Sequence, residues 1–317
     1  MFIGVDAGAT NTLVVLEDGQ RNRVEERLPT ISPISLEVSK AEANLDKLCR
    51  LIAECQGDEP CSVCIGSAAL YQVGVARSRA QMIKCGSKAG IRGRVVVVDD
   101  SVLPLFGPPL NGIGVAVIAG TGSVVLGRDH TNQVMRLGGY DYVFSDEGSA
   151  FDVARRALRA AAHSWDRVGP PTALVEQASL FYGCDIPNIG GILSMEPFPK
   201  THVADFARFV STVADSGDAV AITILRDAAI DLADLAVVAF MSLQDVTQLV
   251  VSGGVAMNSS HYSAAFEFRI QERVPGVVVS IVGTGVESAL ALARQIASSG
   301  LPTGFEQFLH FSVELDD

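Results

Sequence analysis

A short stretch near the start of the chain combines the residue types that bind phosphate groups. Two apolar runs are joined by a turn of small and hydroxyl-bearing residues, Phe2-Ile3-Gly4-Val5-Asp6-Ala7-Gly8-Ala9-Thr10-Asn11-Thr12-Leu13-Val14-Val15-Leu16. Gly8 has no Cβ, so backbone amides near it can approach an oxyanion, and Thr10 and Thr12 add hydroxyl donors. Asp6, at the end of the first run, supplies a carboxylate that can hold the Mg²⁺ of a nucleotide, usually through water.

A second stretch of the same design follows roughly a hundred residues later, about the length of one domain. It reads Gly114-Val115-Ala116-Val117-Ile118-Ala119-Gly120-Thr121-Gly122-Ser123-Val124-Val125-Leu126-Gly127. Either stretch alone is also typical of an ordinary hairpin, because Gly and Asn favour tight turns for conformational reasons. Two copies, one in each domain, predict two phosphate-binding hairpins that face each other across a nucleotide cleft.

A pair of carboxylates follows a run of four valines, in the order Arg94-Val95-Val96-Val97-Val98-Asp99-Asp100-Ser101. The valines predict a strand buried on both faces. Active sites of open α/β sheets lie at the carboxyl ends of strands, so one of the two carboxylates can face the cleft. The alternative is that the acidic residues and Ser101 cap the following helix.

These motifs resemble those of the sugar kinase/Hsp70/actin superfamily. The first phosphate motif of that superfamily, D-x-G-x-T-x-T/S, is matched by residues 6–12, and the second is similar to residues 119–123. A further stretch, Leu137-Gly138-Gly139-Tyr140-Asp141-Tyr142-Val143-Phe144-Ser145-Asp146-Glu147-Gly148-Ser149-Ala150, resembles the G-G-W-G-x-x-x-G-D-E-G-S-A pattern. That pattern marks the N-acetylglucosamine kinase branch, which is grouped with the BadF/BadG-type ATPases. The resemblance runs from Phe2 to about Ala297.

The resemblance implies an α/β fold of two RNase H-like, actin-like ATPase domains with an interdomain cleft. Strands and helices alternate along the chain, as this fold class requires. We expect an N-terminal domain at residues 1–112 plus 286–300 and a C-terminal domain with a helical elaboration at residues 113–285. Residues 301–317 are expected to be a tail.

The implied activity is ATP-dependent phosphorylation of a hydroxyl of an amino sugar of the N-acetylglucosamine or glucosamine type, with ATP and Mg²⁺ as cofactors. Asp100 aligns with the family's single Asp that takes the proton from the acceptor hydroxyl. We therefore assign catalysis to Asp100, capping or solvent exposure to Asp99, and Mg²⁺ to Asp6. The expected phosphate contacts are Gly8, Ala9, Thr10, Asn11, Thr12, Gly120, Thr121, Gly122 and Ser123.

The same resemblance indicates where adenosine and sugar would bind. Gly253 and Gly254 follow the predicted strand 248–252 in the form of the family's adenosine motif, although a tight strand-to-helix turn explains them equally well when taken alone. The expected sugar contacts are Ser32, Asp100, Thr121, Tyr140 and Asp146.

Two of the expected sugar contacts lie where the chain departs from the family's pattern. Ser32 stands where the family has an Asn, and Tyr140, Asp141 and Ser145 stand where it has Trp and Gly, so we expect a reshaped pocket. Asp146 can also cap the helix predicted from Glu147 to Trp165, and the two roles are compatible.

The net charge and the N-terminal sequence indicate which classes of binding partner to expect. The 317 residues carry a formal net charge of -12, and no cluster of Lys and Arg suited to a nucleic acid is visible. The start of the chain lacks a signal-peptide pattern, so we expect a cytoplasmic protein without a membrane partner. A small-molecule sugar is the expected partner, and a homodimer stays open.

Two other functions remain as alternatives. One is the ATPase that activates radical CoA-ester dehydratases, whose subunits share an iron-sulfur cluster held by cysteines of the second domain. Only Cys184 of the six cysteines lies in that domain, which disfavours this function. The other is a non-catalytic nucleotide or sugar sensor, suggested by the departures at Ser32, Tyr140, Asp141 and Ser145.

Overall fold

The computed structural model describes residues 1–8, 11–31, 37–67, 74–194, 200–283 and 285–315. The chain divides into two compact units, the first formed by residues 1–113 and 284–317 and the second by residues 114–283. Among the described residues, no helix combines the length and apolar character needed to cross a membrane.

The described strands are β1 (Phe2–Ala7), β2 (Asn11–Glu17), β3 (Arg23–Pro29), β4 (Cys61–Ser67), β5 (Gly93–Val98), β6 (Gly114–Ala119), β7 (Ser123–Arg128), β8 (Val134–Leu137), β9 (Gln248–Ser252), β10 (Val278–Ile281) and β11 (Leu309–Leu315). The described helices are α1 (Val38–Gln56), α2 (Val75–Ala89), α3 (Leu103–Phe106), α4 (Ala150–Trp165), α5 (Leu174–Tyr182), α6 (Ile186–Leu193), α7 (Lys200–Asp205), α8 (Ala207–Asp215), α9 (Ala219–Ser242), α10 (Gly254–Asn258), α11 (Ser260–Arg273) and α12 (Gly285–Ser299). Short 3-10 helices cover Asp100–Val102 and Glu306–Phe308.

The two units repeat one sheet design. In the first, the strand order is β11-β5-β4-β1-β2-β3, and in the second it is β10-β9-β6-β7-β8. Each sheet contains an antiparallel meander of three strands, extended on one side by two parallel strands. The glycine-rich turns of both predicted hairpins join the first two strands of these meanders, so the chain uses the same local structure twice.

Each unit has its own apolar core. In the first unit, β1, β4 and β5 pack against α1 and α2 through buried side chains such as Ile3, Leu48 and Val95. In the second unit, β6, β7 and β9 pack against a large helical layer that includes α4, α8, α9 and α11. The long α9 has small and branched residues at helical spacing, with Asp218 accepting a hydrogen bond from the Ala221 amide at its start.

The final residues differ from the expected tail, because β11 pairs antiparallel with β5 and adds a sixth strand to the first sheet. Its alternate residues Phe311, Val313 and Leu315 are buried, which is the period of a strand with one face on a core. Leu315 reaches α2 at Gly86, where a Cβ would lie 2.5 Å from the leucine Cδ1. The alternation is visible in the sequence, but only the exposed edge of β5 gives the strand a partner.

The backbones of β1 and α12 touch at Gly4. A Cβ on Gly4 would lie 2.3 Å from the Leu290 amide nitrogen and 2.6 Å from the Val286 carbonyl oxygen. We expect Gly4→Ala to lower the free energy of unfolding by about 2 kcal/mol, since neither backbone can move without disturbing the sheet. Chemical denaturation measures this loss. Gly19→Ala is the matched control, because no atom lies within 4 Å of a Cβ there, and equal stabilities of the two variants would contradict the expectation.

Candidate active site

The carboxyl edge of the first sheet brings Asp6 and Asp100 together. Asp6 is paired in register with Gly66 of β4, and Gly66 with Val98 of β5, two residues before Asp100. A Cβ on Gly66 would lie 3.3 Å from the Asp100 Cα, so the absent side chain lets the 3-10 helix sit directly on β4. The two carboxylates that the sequence placed 94 positions apart therefore share one sheet edge.

Asp99 and Asp100 have different roles. The Asp99 Oδ1 accepts a hydrogen bond of 3.0 Å from the Ser101 amide and a short one from the Ser101 hydroxyl, which caps the 3-10 helix. Capping of Asp99 is therefore confirmed. Asp100 is the first residue of that helix, and its carboxylate is not used in the cap.

The environment of Asp100 favours its neutral form. Burial raises its pKa to about 7, and the negative charges of Asp99 and Asp6 add to the rise, while the backbone amides of Ser101 and of Asp100 itself oppose it. A carboxyl group that changes charge near neutral pH can accept a proton from an alcohol during a reaction and release it afterwards. The position assigned to catalysis thus has the acid-base property that the assignment needs.

Asp6 suits a Mg²⁺ ion that arrives with a nucleotide. Burial raises the pKa of Asp6, and a hydrogen bond of 3.0 Å from the Gly285 amide, at the N-terminus of α12, lowers it in part. Within the described ranges, no three His, Cys, Asp or Glu side chains form a metal cluster. Mg²⁺ needs no such cluster, because it usually keeps several waters and takes one or two carboxylates plus phosphate oxygens. The donor set therefore fits.

The first hairpin is only partly described. Ala9 and Thr10, and also Ser32 of the following loop, lie outside the described residues. Asn11 begins β2 and is half-buried. The Gly8 carbonyl accepts a hydrogen bond of 2.6 Å from the Thr30 hydroxyl, which joins the residue after β1 to the residue after β3.

Thr12 and Ser123, both expected to bind phosphate, are instead used inside their units. Thr12 is fully buried, and its hydroxyl oxygen accepts a hydrogen bond from the Ile31 amide. Ser123 is also buried and donates a 2.7 Å hydrogen bond to the Glu147 carbonyl. Thr12 is the second residue of β2 and lies on the buried side of its alternating start, and Ser123 is the first residue of β7, a strand whose residues are all buried. The structure therefore does not bring either hydroxyl to a ligand-facing surface.

The second hairpin is anchored on the start of α4. The Gly120 and Thr121 carbonyls accept hydrogen bonds from the Ala150 and Phe151 amides at 2.8 and 3.4 Å, and the Gly120 amide donates to the Gly122 carbonyl at 3.0 Å. Thr121 is exposed at the tip. These bonds hold the turn Gly120–Gly122 in one conformation, with its tip open to a ligand.

The helix after Asp146 begins later than expected. Ser149 is the N-cap of α4, its Oγ accepting from the Asp152 amide at 3.1 Å, so the capping role considered for Asp146 is wrong. Asp146 instead has a left-handed backbone with a φ of 62° and is buried. Its carboxylate pairs with Lys200 at 3.2 Å and lies against Gly122, where a Cβ would be 2.8 Å from Oδ2. Non-glycine residues in this conformation cluster at functional sites.

The loop before Asp146 exposes apolar side chains. Tyr140, Val143 and Phe144 expose 61%, 75% and 73% of their surfaces. Gly138 and Gly139, with φ values of 69° and 71°, form the turn that leads into this loop. Tyr140 is therefore available to stack on a ligand, as expected, and it stands on the same loop as Asp146.

A pocket of about 690 Å³ adjoins the second hairpin. We name it the α8 pocket. Its lining residues come from the hairpin, from the start of α4, from α7 and α8, and from α10: Gly120, Thr121, Ala150, Ala204, Asp205, Ala207, Arg208, Ser211, Thr212, Asp215, Gly254, Val255 and Asn258. Its size lies in the usual range for small-molecule sites. It joins the second phosphate motif to the predicted adenosine motif in one cavity.

Gly253 and Gly254 turn out to differ. Gly253 has a φ of 106°, and a Cβ on it would lie 2.3 Å from the Ala119 carbonyl oxygen, so packing against β6 requires glycine there. Gly254 begins α10 and lines the α8 pocket, and a Cβ on it would have only the Asn258 Nδ2 nearby, at 3.9 Å. The strand-to-helix turn thus explains Gly253, while Gly254 is the member that faces the cavity.

The family model of the BadF/BadG/BcrA/BcrD ATPases matches residues 3–290, which is most of the chain. The chain belongs to the BadF/BadG/BcrA/BcrD ATPase family. This confirms the resemblance found in the motifs.

Two curated relatives of this chain are named as sugar kinases. It is 29% identical to an N-acetylmuramic acid/N-acetylglucosamine kinase of Clostridium acetobutylicum over 301 residues, covering 87% of this chain and 96% of the relative. It is 26% identical to an N-acetyl-D-glucosamine kinase of Dictyostelium discoideum, covering 88% and 92%.

A solved structure supports the fold. A Porphyromonas gingivalis protein with a provisional N-acetylglucosamine kinase assignment superposes with a TM-score of 0.74 at 18% identity, covering 94% of this chain and 99% of that one. Together with the repeated sheet, this likeness confirms the predicted α/β fold of two actin-like ATPase domains.

Sequence reasoning missed several residues that the structure brings to the motifs. Arg208, Ser211, Thr212 and Asp215 lie on one face of α8 toward the pocket, and Lys200 reaches Asp146. Their i, i+3, i+4, i+7 spacing is visible in the sequence, but any solvent-exposed helix face shows the same spacing. Their proximity to the glycine motifs arises only in the folded chain.

Proposed function

We propose that this protein is an ATP-dependent kinase that phosphorylates a hydroxyl of an amino sugar of the N-acetylglucosamine or glucosamine type. The names of its curated relatives support this reaction class. The observation that carries it is Asp100, a carboxyl group with a pKa of about 7 that lies next to Asp6 at the carboxyl ends of the parallel strands β1, β4 and β5. A kinase needs such a base, because an alcohol becomes a better nucleophile as it loses its proton.

In the proposed reaction, Asp100 orients the sugar hydroxyl and accepts its proton. The hydroxyl oxygen forms a bond to the γ-phosphorus of ATP, and the bond from that phosphorus to the β–γ bridging oxygen breaks. The products are the sugar phosphate, ADP and the proton, which leaves Asp100 for solvent. Mg²⁺, when bound, supplies positive charge to the β- and γ-phosphates, and Asp6 is the residue that we propose to hold it.

The nucleotide is assigned to the elements that carry the glycine motifs. Its nucleoside lies in the α8 pocket against Gly254 and α8, and its phosphates reach the tip of the second hairpin at Gly120–Gly122. Backbone amides of such a turn bind phosphate oxygens without a side-chain positive charge. In the first unit, Gly8, Ala9, Thr10 and Asn11 remain proposed phosphate contacts.

The sugar is assigned to Asp146, Thr121 and Tyr140 of the second unit and to Asp100 and Ser32 of the first. The Asp146 carboxylate accepts hydrogen bonds from sugar hydroxyls, and the exposed Tyr140 ring stacks on a sugar face. The apolar character of the loop at Val143 and Phe144 favours a sugar that carries an acyl group over an unmodified one.

A coupled assay of ADP release tests this function. Purified protein with Mg²⁺ and ATP is incubated with N-acetylglucosamine, glucosamine, N-acetylmuramic acid, glucose and N-acetylmannosamine in separate reactions. We expect sugar-dependent ADP release with at least one amino sugar, and a sugar phosphate detected by mass spectrometry. ADP release that no sugar accelerates would contradict the proposal.

A further inference from the structure

The ion pair between Lys200 and Asp146 joins residues 54 positions apart and lies beside Gly122 in the turn of the second hairpin. The Lys200 Nζ lies 3.2 Å from the Asp146 Oδ2, and the two side chains expose 32% and 6% of their surfaces. The same ammonium group lies 4.9 Å from the centre of the Tyr142 ring. Lys200 begins α7, so its backbone is also held by a helix.

The position of the partner carboxylate raises an electrostatic problem for a kinase. The Asp146 Oδ2 lies against Gly122, the last glycine of the turn assigned to the phosphates of ATP. A buried carboxylate at this place repels a triphosphate, because both are negatively charged and little water separates them. A cation is therefore required at this place if the carboxylate is to serve the sugar while phosphate binds next to it.

Lys200 has the charge and the spare donors for this task. A lysine ammonium group carries three N–H donors. In the part of the chain that the structure describes, one is directed to Asp146 and the ring of Tyr142 covers another side of the group. A further N–H remains for a ligand oxygen, and the one-third exposure of the side chain leaves that donor accessible.

We infer that Lys200 binds the terminal phosphoryl group of the nucleotide and offsets the charge of Asp146 beside it. The inference rests on the proposed function for the role of Gly120–Gly122 in binding phosphate. It makes Lys200 a catalytic residue, since it contacts the group that is transferred. Negative charge on the oxygens near the transferred phosphorus is then met by a fixed cation.

Binding of two nucleotides separates this role from a structural one. Calorimetry measures the affinities of ADP and of the β,γ-imido analogue of ATP, in Mg²⁺, for wild type, Lys200→Met, Lys200→Arg and the exposed control Lys47→Met. For Lys200→Met we expect the affinity for the analogue to fall about ten-fold relative to that for ADP, and kcat with the best sugar to fall about a hundred-fold. Lys200→Arg should recover most of both values, and Lys47→Met should match wild type.

Asp146→Asn provides a test of opposite sign. This variant removes the repelling charge but keeps the lysine, so the analogue should bind at least as well relative to ADP as it does to wild type, while the KM for the sugar rises. A lysine that merely anchors α7 through Asp146 predicts similar defects in Lys200→Met and Asp146→Asn. The thermal unfolding temperature of each variant shows directly whether the substitution has destabilised the fold.

The outcomes keep the inference and the proposed function apart. If Lys200→Met has the same ratio of analogue affinity to ADP affinity as wild type, and its sugar-dependent turnover is intact, the inference is overturned while the proposed function stands. If Lys200→Met loses affinity for the analogue relative to ADP while the wild-type protein phosphorylates no sugar, the inference is supported and the proposed kinase function is contradicted. Failure of the wild-type protein to bind either nucleotide overturns both.

Discussion

Asp100→Asn should reduce kcat for sugar-dependent ADP release by about a hundred-fold to ten-thousand-fold, the usual range for loss of a general base. Asparagine has nearly the same shape but cannot accept the hydroxyl proton. Binding of ADP should be unchanged, because the nucleoside is assigned to the α8 pocket. The assay is the coupled measurement of ADP release with the best sugar.

Asp99→Asn is the matched control for Asp100→Asn, since Asp99 is the neighbouring carboxylate and serves as a cap. Asparagine caps a helix about as well as aspartate, because its amide oxygen can still accept the hydrogen bond from the Ser101 amide. We therefore expect a nearly unchanged free energy of unfolding and a kcat within a few-fold of wild type. Undiminished turnover in Asp100→Asn would remove Asp100 from the mechanism. Equal losses in both variants would indicate damage to the 3-10 helix instead.

The pH dependence adds a second readout for Asp100. Its pKa in the folded protein is raised from 3.8 to about 7, so the carboxylate form increases as the pH rises through 7. We therefore expect kcat/KM, which reports the free enzyme, to fall about ten-fold per pH unit below 7. Asp99→Asn should shift this fall in kcat/KM to lower pH, because the Asp99 charge contributes to the raised pKa of Asp100.

The same raised pKa affects stability. Since the folded-state value lies above the unfolded one, ionisation of Asp100 destabilises the fold as the pH rises from about 4 to about 7. Asp100→Asn should therefore raise the unfolding temperature at pH 8 more than at pH 4. An identical effect at both pH values would contradict the raised pKa.

Gly253→Ala and Gly254→Ala should have opposite consequences although the two glycines are adjacent. At Gly253 a methyl group would overlap the Ala119 carbonyl oxygen and the backbone would stay at a φ of 106°, so we expect a loss of about 3 kcal/mol in the free energy of unfolding. At Gly254 there is room for the methyl group, and alanine in the first turn of a helix is compatible with unchanged or slightly higher stability.

Gly254→Ala should instead change nucleotide binding. Its methyl group points to the α8 pocket, where we place the nucleoside, so the KM for ATP should rise about ten-fold with little change in kcat, as expected for loss of uniform binding. Denaturation curves and steady-state kinetics of the pair provide the measurements. A Gly254→Ala protein with the wild-type KM for ATP would show that the nucleoside binds elsewhere.

The second hairpin illustrates how far sequence patterns reach. Its strands and its Gly-Thr-Gly turn could be predicted, because apolar alternation and turn residues act over a few neighbouring positions. The burial and the contacts of individual side chains could not be predicted in this way. Thr12 and Ser123 match phosphate motifs, yet both are buried, because Thr12 lies on the buried side of β2 and all of β7 is covered on both faces. Gly253 matches an adenosine motif, yet its conformation and its contact with Ala119 require a glycine without any ligand.

The sequence by itself determined the repeated glycine-rich hairpin, the valine strand that ends in Asp99-Asp100, and the family to which these motifs point. All of these depend on residues that are neighbours in the chain. The tertiary structure decided that β11 completes the first sheet, that α8 forms a wall of the pocket at Gly254, and that Lys200 pairs with Asp146 beside Gly122. Such contacts join residues tens to hundreds of positions apart, and no local pattern specifies them, because polar residues at helical spacing are common on every exposed helix face.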